Sequence, residues 1–175
     1  MEKQKWVIDP THSEIQFKVR HLMITNVTGH FSEYTSEVLT EDETFAGAEV
    51  VFEATIDSIS TGNAQRDEHL KSPDFFDAAG HEKLTFKSTS FSKSSSDHVM
   101  AGDLTIRGTT LPIKLDVEFT GIAVDPYGQT KAGFEVTGKI SREAYGLTWN
   151  ALTEAGGAVV SDEVRLICNV QFVKQ

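Results

Sequence analysis

The chain has 175 residues, and its 16 basic and 26 acidic side chains give a formal net charge of −10 at pH 7. At roughly 150 residues per domain, this length predicts a single domain over residues 1–175. The acidic balance argues against nucleic acid as a partner, because such proteins need a basic surface to neutralise phosphates. No stretch approaches the roughly eighteen consecutive apolar residues of a membrane-spanning helix, so an integral membrane protein is not expected.

The start of the chain also predicts a location. The first residues run directly into patterned sequence, without the apolar region of a signal peptide. The sequence as written therefore predicts a cytoplasmic protein, whereas a mature form that had lost a signal peptide would be periplasmic. The single cysteine, Cys168, lies in an apolar run and is expected to be buried.

Apolar and polar residues alternate along most of the chain, which is typical of strands with one buried and one exposed face. In the clearest case Ile15, Phe17 and Val19 alternate with charged and amide residues. In chain order the alternation predicts strands at 6–8, 13–21, 25–38, 50–56, 84–90, 99–107, 113–119, 134–140 and 164–172. Clean alternation favours antiparallel pairing, because the strands of parallel sheets are usually buried on both faces.

One segment breaks this rhythm. Residues 62–72 are rich in helix formers, with Asn63 placed to cap the start and Pro73 placed to stop the helix. Asp67 and Lys71 are spaced as an ion pair on consecutive turns. The pattern therefore predicts one short helix between two strands.

Eight or nine alternating strands without another packing layer must bury their apolar face on themselves, as a barrel or a sandwich. A barrel of this strand number is either filled by side chains or encloses one small ligand. Alternation alone leaves both interpretations open.

Five blocks of sequence make the fold more specific. They lie at 6–21, with Trp, Asp, His-Ser, Phe and His; at 29–31, with Gly-x-Phe; at 63–77, with Asn-x-x-Arg-Asp-x-His-Leu followed by Asp-Phe-Phe; and at 102–110 and 160–164. In this order, over nearly the whole chain, they resemble the YceI-like family of polyisoprenoid-binding proteins.

The resemblance implies an all-β fold, an antiparallel up-and-down lipocalin-like barrel of about eight strands with a short helical segment over one opening. It implies an elongated cavity for a long-chain isoprenoid or similar amphiphilic lipid, such as a polyprenyl, quinone or fatty chain, for transport, storage or sensing. No cofactor is expected besides this bound lipid, and a homodimer is left open.

The alternation assigns candidate residues to such a cavity. The inward positions that would line it are Phe17, Val19, Phe52, Ile56, Phe86, Ile106, Phe119, Phe134, Val136 and Ile140, and Leu70, Phe75 and Phe76 would close one end. His21 and Arg142 also fall on inward positions, where a cation must be paired or must meet a ligand. Arg142 can be interpreted in two ways. It forms a buried pair with Asp67 or Glu143, or it contacts a lipid head group, as Arg66 and His69 would also do.

Other functional classes receive less support. None of the six histidines has a zinc-site spacing, so no metal site is predicted. The sequence contains no nucleophile elbow, dinucleotide fingerprint or phosphate loop, and the preferred interpretation is not an enzyme. Arg66, Asp67 and His69 could nevertheless support acid–base chemistry on a bound lipid or quinone. A filled structural barrel without ligand is the third alternative.

Overall fold

The computed structural model describes residues 3–94, 97–150 and 159–175. Within them lie β1 (Gln4–Ile8), β2 (Glu14–His21), β3 (Thr25–Phe31), β4 (Tyr34–Thr40), β5 (Glu49–Thr55), β6 (Ile59–Ser60), β7 (Lys83–Lys93), β8 (His98–Ile106), β9 (Thr109–Val124), β10 (Thr130–Ser141) and β11 (Val160–Lys174). The helix α1 spans Ala64–Lys71, and short 3₁₀ turns lie at Pro10–His12, Ile56–Ser58 and Glu143–Tyr145.

Three pairs of these strands act as single, interrupted strands. β11 pairs with β1 near its C-terminus and with β2 over the rest of its length, so β1 and β2 lie end to end beside it. On their other side, β4 pairs with β1 and β3 pairs with β2, so β4 and β3 also lie end to end. In the next position β5 pairs with β4 and β6 pairs with β3. The interruptions are the 3₁₀ turn Pro10–His12, residues 32–33 and the 3₁₀ turn Ile56–Ser58.

Eight strand paths therefore close into one barrel. Each path pairs antiparallel with the next one in sequence, and β11 returns to β1 and β2 to complete the ring. Closure satisfies the backbone donors and acceptors that an open sheet would leave at its edges. This architecture confirms the predicted antiparallel up-and-down barrel.

The sequence patterns located most of these elements. Nine predicted strands correspond to observed ones, but the predicted strand at 25–38 is divided into β3 and β4, and the two-residue β6 has no pattern of its own. The predicted helix is present, and the Asn63 side chain accepts from the Arg66 backbone N–H as its cap. The predicted pairing of Asp67 with Lys71 is wrong, because Lys71 contacts Asp57 and Glu68 instead.

The two ends of the barrel differ. At the end where β11 finishes, called here the closed end, Trp6 is fully buried and Phe45 folds inward from the β4–β5 loop. The Phe45 ring packs against Trp6, Phe119 and Phe134, with centroid distances of 5.0–5.3 Å. The other end, called the open end, carries α1 and the β2–β3 turn. None of the helices in the described ranges is long and apolar enough to cross a membrane.

Candidate functional site

The barrel encloses two adjoining chambers. The upper chamber, nearer the closed end, has a volume of about 160 Å³, and the lower chamber, nearer the open end, about 270 Å³. Six apolar residues line both chambers and form a waist between them: Phe17, Phe31, Leu84, Ile106, Ile140 and Leu166. The two chambers therefore follow one another along the barrel axis, with this waist between them.

The upper chamber is almost wholly apolar. The polar residues in its lining are Gln16 and Ser36, and the Ser36 hydroxyl donates to the Val51 carbonyl oxygen at 2.7 Å. Cys168 lines it too, and burial raises the pKa of this thiol to about 11. A lining of this kind offers few hydrogen-bond partners to water, which suits it to a hydrocarbon chain.

The lower chamber combines apolar and polar groups and reaches solvent. Arg20, His21 and Arg66 belong to its lining and are also exposed, so they mark where the chamber opens. Arg142, Tyr145 and Trp149 line it from the segment between β10 and β11. This arrangement, an apolar depth with polar groups at its mouth, is typical of sites for amphiphilic ligands.

Arg142 is buried, with 5% of its surface exposed, and serves as a structural tie. Its guanidinium donates to the carbonyl oxygens of Leu147, Trp149, Val160 and Ser161 at 2.6–3.1 Å. Burial lowers the pKa of Arg142 from its ordinary value, and the nearby Glu143 carboxylate acts in the opposite direction. The predicted pairing with Asp67 or Glu143 is not seen among the described contacts.

Arg66 is also engaged at short range. Its Nε and Nη2 donate to the hydroxyl and carbonyl oxygens of Thr61, both at 2.7 Å. Thr61 in turn donates its backbone N–H to the Asp67 carboxylate at 2.8 Å. This network fastens α1 to the strand that precedes it.

His69 belongs to an aromatic cluster under the helix. Its ring packs edge-on against Phe75 and Trp149, at centroid distances of 5.1 and 4.6 Å. Its Nε2 lies 2.8 Å from the Asp74 carboxylate. The carboxylate that engages His69 is therefore Asp74, and Asp67 is committed to Thr61.

Tyr145 differs from these groups because its hydroxyl has no hydrogen-bond partner in the described part of the chain. The side chain is 2% exposed and lines the lower chamber. Among the described residues no atom forms a hydrogen bond with its hydroxyl oxygen, although that atom is buried. Burial raises the pKa of Tyr145, so the phenol keeps its proton at neutral pH and can donate a hydrogen bond.

Most candidate residues from the sequence lie around the two chambers. Phe52, Phe86, Phe134 and Val136 line the upper chamber, Phe17, Ile106 and Ile140 line the waist, and Val19, His21, Arg66, His69, Leu70, Phe75, Phe76 and Arg142 line the lower chamber. Two lie outside both. Ile56 is buried in the core at the end of β5, and Phe119 packs against Phe45 at the closed end.

Several lining residues were not among the candidates predicted from the sequence. Phe31 and Leu166 at the waist sit on inward positions of predicted strands, so the alternation could have identified them. Tyr145, Leu147 and Trp149 lie between β10 and β11, where no periodic pattern operates. In the described ranges no group of three His, Cys, Asp or Glu side chains is placed to hold a metal ion.

Comparison with known sequences gives consistent relatives. A profile of the YceI-like domain matches residues 6–172. A UPF0312 protein of Staphylococcus epidermidis is 36% identical over 169 residues, which cover 96% of each chain. A UPF0312 protein of Staphylococcus aureus strain USA300 is 36% identical over 168 residues, covering 95% of this chain and 96% of the relative.

Solved structures share the fold. A YceI protein of Campylobacter jejuni is 30% identical, with a TM-score of 0.74 and coverage of 89% of this chain and 90% of that one. BcnA of Burkholderia cenocepacia gives 18% identity, a TM-score of 0.80 and coverage of 94% and 98%. A polyisoprenoid binding domain from Saccharophagus degradans gives 16% identity, a TM-score of 0.68 and coverage of 97% and 98%. The last two likenesses concern the fold alone.

Proposed function

Because the chain belongs to the YceI-like family, we propose that its barrel binds a long-chain isoprenoid or a similar amphiphilic lipid, for transport, storage or sensing. The observation that carries this proposal is the pair of adjoining chambers, apolar in depth and polar at the open end. A fold relative described as a polyisoprenoid binding domain adds support.

The driving force for such binding is hydrophobic. Each methylene-sized unit of a prenyl or acyl chain gains about 0.8 kcal/mol when it leaves water, so an apolar lining is sufficient for affinity. The chain would occupy the upper chamber and waist, because those surfaces offer almost no hydrogen-bonding groups. Its polar group would remain in the lower chamber.

The lower chamber favours an uncharged, oxygen-bearing polar group. A phosphate inside the chamber would need buried donors in direct contact, but the buried Arg142 guanidinium already donates to four carbonyls. Among the other basic side chains of the lining, Arg20, His21 and Arg66 lie at the exposed mouth. The buried Tyr145 hydroxyl has no partner among the described residues and can donate to a carbonyl or hydroxyl oxygen. The proposed ligand is therefore a prenyl alcohol, a quinone or a neutral fatty amphiphile.

Native mass spectrometry tests the proposal directly. Freshly purified protein would be examined for a bound lipid, stripped by denaturing extraction, refolded and then titrated with geranylgeraniol. We expect one molecule bound per chain. A refolded protein that takes up neither geranylgeraniol nor a fatty amphiphile would contradict the proposal and favour a barrel without ligand.

A variant that blocks the waist tests where the lipid chain binds, and a variant on the outer face is its matched control. Leu166→Trp should lower the affinity for geranylgeraniol about tenfold or more, because overfilling a packed site forces its neighbours from their positions. Val51→Trp places the same side chain on the exposed outer face and should bind normally. Circular dichroism would verify folding, and Ile106→Trp offers a second block if Leu166→Trp fails to fold.

The role of Tyr145 has its own test. Tyr145→Phe should bind geranylgeraniol about 2- to 10-fold more weakly, the usual effect of one hydrogen bond, and should bind a prenyl hydrocarbon of equal length unchanged. Tighter binding of geranylgeranyl phosphate than of the alcohol would contradict an uncharged polar group.

A further inference from the structure

The turn between β2 and β3 exposes three consecutive aliphatic side chains. Leu22, Met23 and Ile24 are 39%, 57% and 78% exposed, and together they are called the apolar tip. The Ile24 backbone N–H donates to the His21 carbonyl oxygen at 3.2 Å and closes the turn. A single exposed aliphatic residue is ordinary, but three in succession at the end of a hairpin are unusual.

The backbone of the apolar tip has a conformation that Leu and Met rarely adopt. Leu22 and Met23 have φ values of 53° and 60°, and in the described part of the chain they are the one pair of adjacent non-glycine residues with positive φ. β-Turns with positive φ at both central residues favour Asn-Gly, which adopts such angles at little cost. Leu-Met therefore breaks the local rule while both side chains stay exposed, which indicates a requirement other than folding.

The hairpin that carries the apolar tip is also unusual in charge. Residues 15–32 contain no Asp or Glu, the longest such stretch in a chain of net charge −10, and they include Lys18 and Arg20. The Arg20 guanidinium donates to the Met23 carbonyl oxygen at 3.4 Å, which holds a positive charge beside the exposed side chains. Aliphatic residues flanked by cations are typical of segments that enter the interface of an anionic bilayer.

The position of the apolar tip connects it with the lower chamber. Arg20 and His21, which lead into the tip, line that chamber where it reaches solvent. A bilayer in contact with Leu22, Met23 and Ile24 would therefore face the opening.

We infer that the apolar tip is a membrane-docking element that sets the open end of the barrel on an anionic lipid bilayer. A second copy of the chain fits the tip less well, because stable dimers bury about 800 Å² on each partner and three side chains supply much less. The inference rests on the proposed function, since docking gives a lipid a path between bilayer and chamber.

Vesicle sedimentation tests this inference. The protein would be mixed with vesicles of phosphatidylcholine alone or with phosphatidylglycerol, and the bound fraction measured for wild type and Met23→Ser/Ile24→Ser. We expect binding to the anionic vesicles that falls as salt is raised, and a loss of about tenfold or more in the variant. Val124→Ser/Tyr127→Ser removes exposed apolar groups near the β9–β10 turn, at the closed end, and should bind like wild type.

Two results would overturn the inference. One is equal vesicle binding, or equal absence of binding, by wild type and Met23→Ser/Ile24→Ser. The other is a change in the oligomeric state of that variant without a change in vesicle binding, which would assign the tip to a second copy. Geranylgeraniol binding without vesicles should be the same in wild type and variant, and its absence in both would contradict the proposed function instead.

Discussion

Gly29 on β3 leaves the space that the ring of Phe17 on β2 occupies. The two residues are directly paired across the strands, and a Cβ at position 29 would overlap the phenyl ring. Because Phe17 lines the waist, the absence of a side chain at Gly29 lets the ring lie against the barrel wall. This relationship gives a physical reason for a glycine within a strand, where glycine otherwise costs stability.

Gly29→Ala should therefore destabilise the barrel. The Phe17 ring must move into the waist or strain its rotamer, and the free energy of unfolding should fall by about 1–3 kcal/mol, measured by urea denaturation. Gly29→Ala/Phe17→Leu should recover part of this loss, because the smaller side chain relieves the overlap. Strictly additive effects of the two substitutions would show that the residues do not interact.

The apolar tip should be less stable than an ordinary turn. Leu22→Asn/Met23→Gly supplies the residues that positive φ angles favour and should raise the free energy of unfolding by about 1–2 kcal/mol. The same substitution should abolish vesicle binding. Thermal unfolding monitored by circular dichroism measures the first effect, and an unchanged midpoint would argue that Leu22 and Met23 bear no strain.

Arg142 should contribute mainly to the stability of the folded barrel and less to ligand binding. Arg142→Met preserves length but removes the guanidinium from four carbonyl oxygens, of which that of Val160 keeps the Asn150 amide as a donor, and should lower the free energy of unfolding by about 3 kcal/mol or more. Arg142→Lys should recover little, since one ammonium group cannot span the four acceptors. A fully stable lysine variant, measured by urea denaturation, would contradict a tie that depends on the guanidinium geometry.

Asp9 should make the barrel more stable above pH 4 than below it. Its carboxylate accepts from the Thr11 hydroxyl and N–H, from His12 and from Lys131, and these hydrogen bonds hold the pKa of Asp9 well below its ordinary value. Because the pKa of Asp9 is lower in the folded than in the unfolded chain, the stabilisation is fully present at pH values above the unfolded-state pKa. It is lost as the pH falls towards the folded-state pKa.

Asp9→Asn should therefore unfold more easily at pH 7 and show a weaker loss of stability below pH 4. Urea denaturation at pH 7, 4 and 3 would measure both effects. Glu53→Gln removes an exposed ion pair with Lys83 and should change stability very little. If Asp9→Asn kept the acid sensitivity of wild type, other carboxylates would be responsible.

Cys168 should resist alkylation in the folded protein. With its pKa raised to about 11 by burial, roughly one thiol in a thousand is ionised at pH 8, and the thiolate is the reactive form. Iodoacetamide should modify the chain slowly at pH 8 and rapidly in urea, as followed by mass spectrometry. Equal rates in both conditions would show that the upper chamber is open to polar reagents.

Alternation was informative wherever one strand face meets water and the other meets the core. It located β2, β9 and β10 and identified lining residues such as Phe86 and Val136. It assigned two residues to the cavity lining that lie elsewhere. Ile56 begins a 3₁₀ turn after β5, and Phe119 joins the aromatic cluster around Phe45 at the closed end. The same periodicity continues through both residues, although their surroundings change.

The polar part of the site was harder to predict. The pattern identified Arg142 as an inward cation, but its partners are backbone carbonyls, which every residue carries and no sequence pattern distinguishes. Tyr145 lies on a 3₁₀ turn outside any period-two strand, so only the packed structure reveals its isolated hydroxyl. The exposure of Leu22 and Met23 likewise depends on a turn conformation that their side chains do not favour.

In the part of the chain that the structure describes, the aromatic packing of Phe45 on Trp6 fills the closed end of the barrel and leaves the chamber mouth at the open end. Under the proposed function, a hydrocarbon would enter the open end with its tail first and leave it with its polar group first. An acceptor would then meet the oxygen-bearing group before the chain, and could select its lipid without reaching the interior of the barrel.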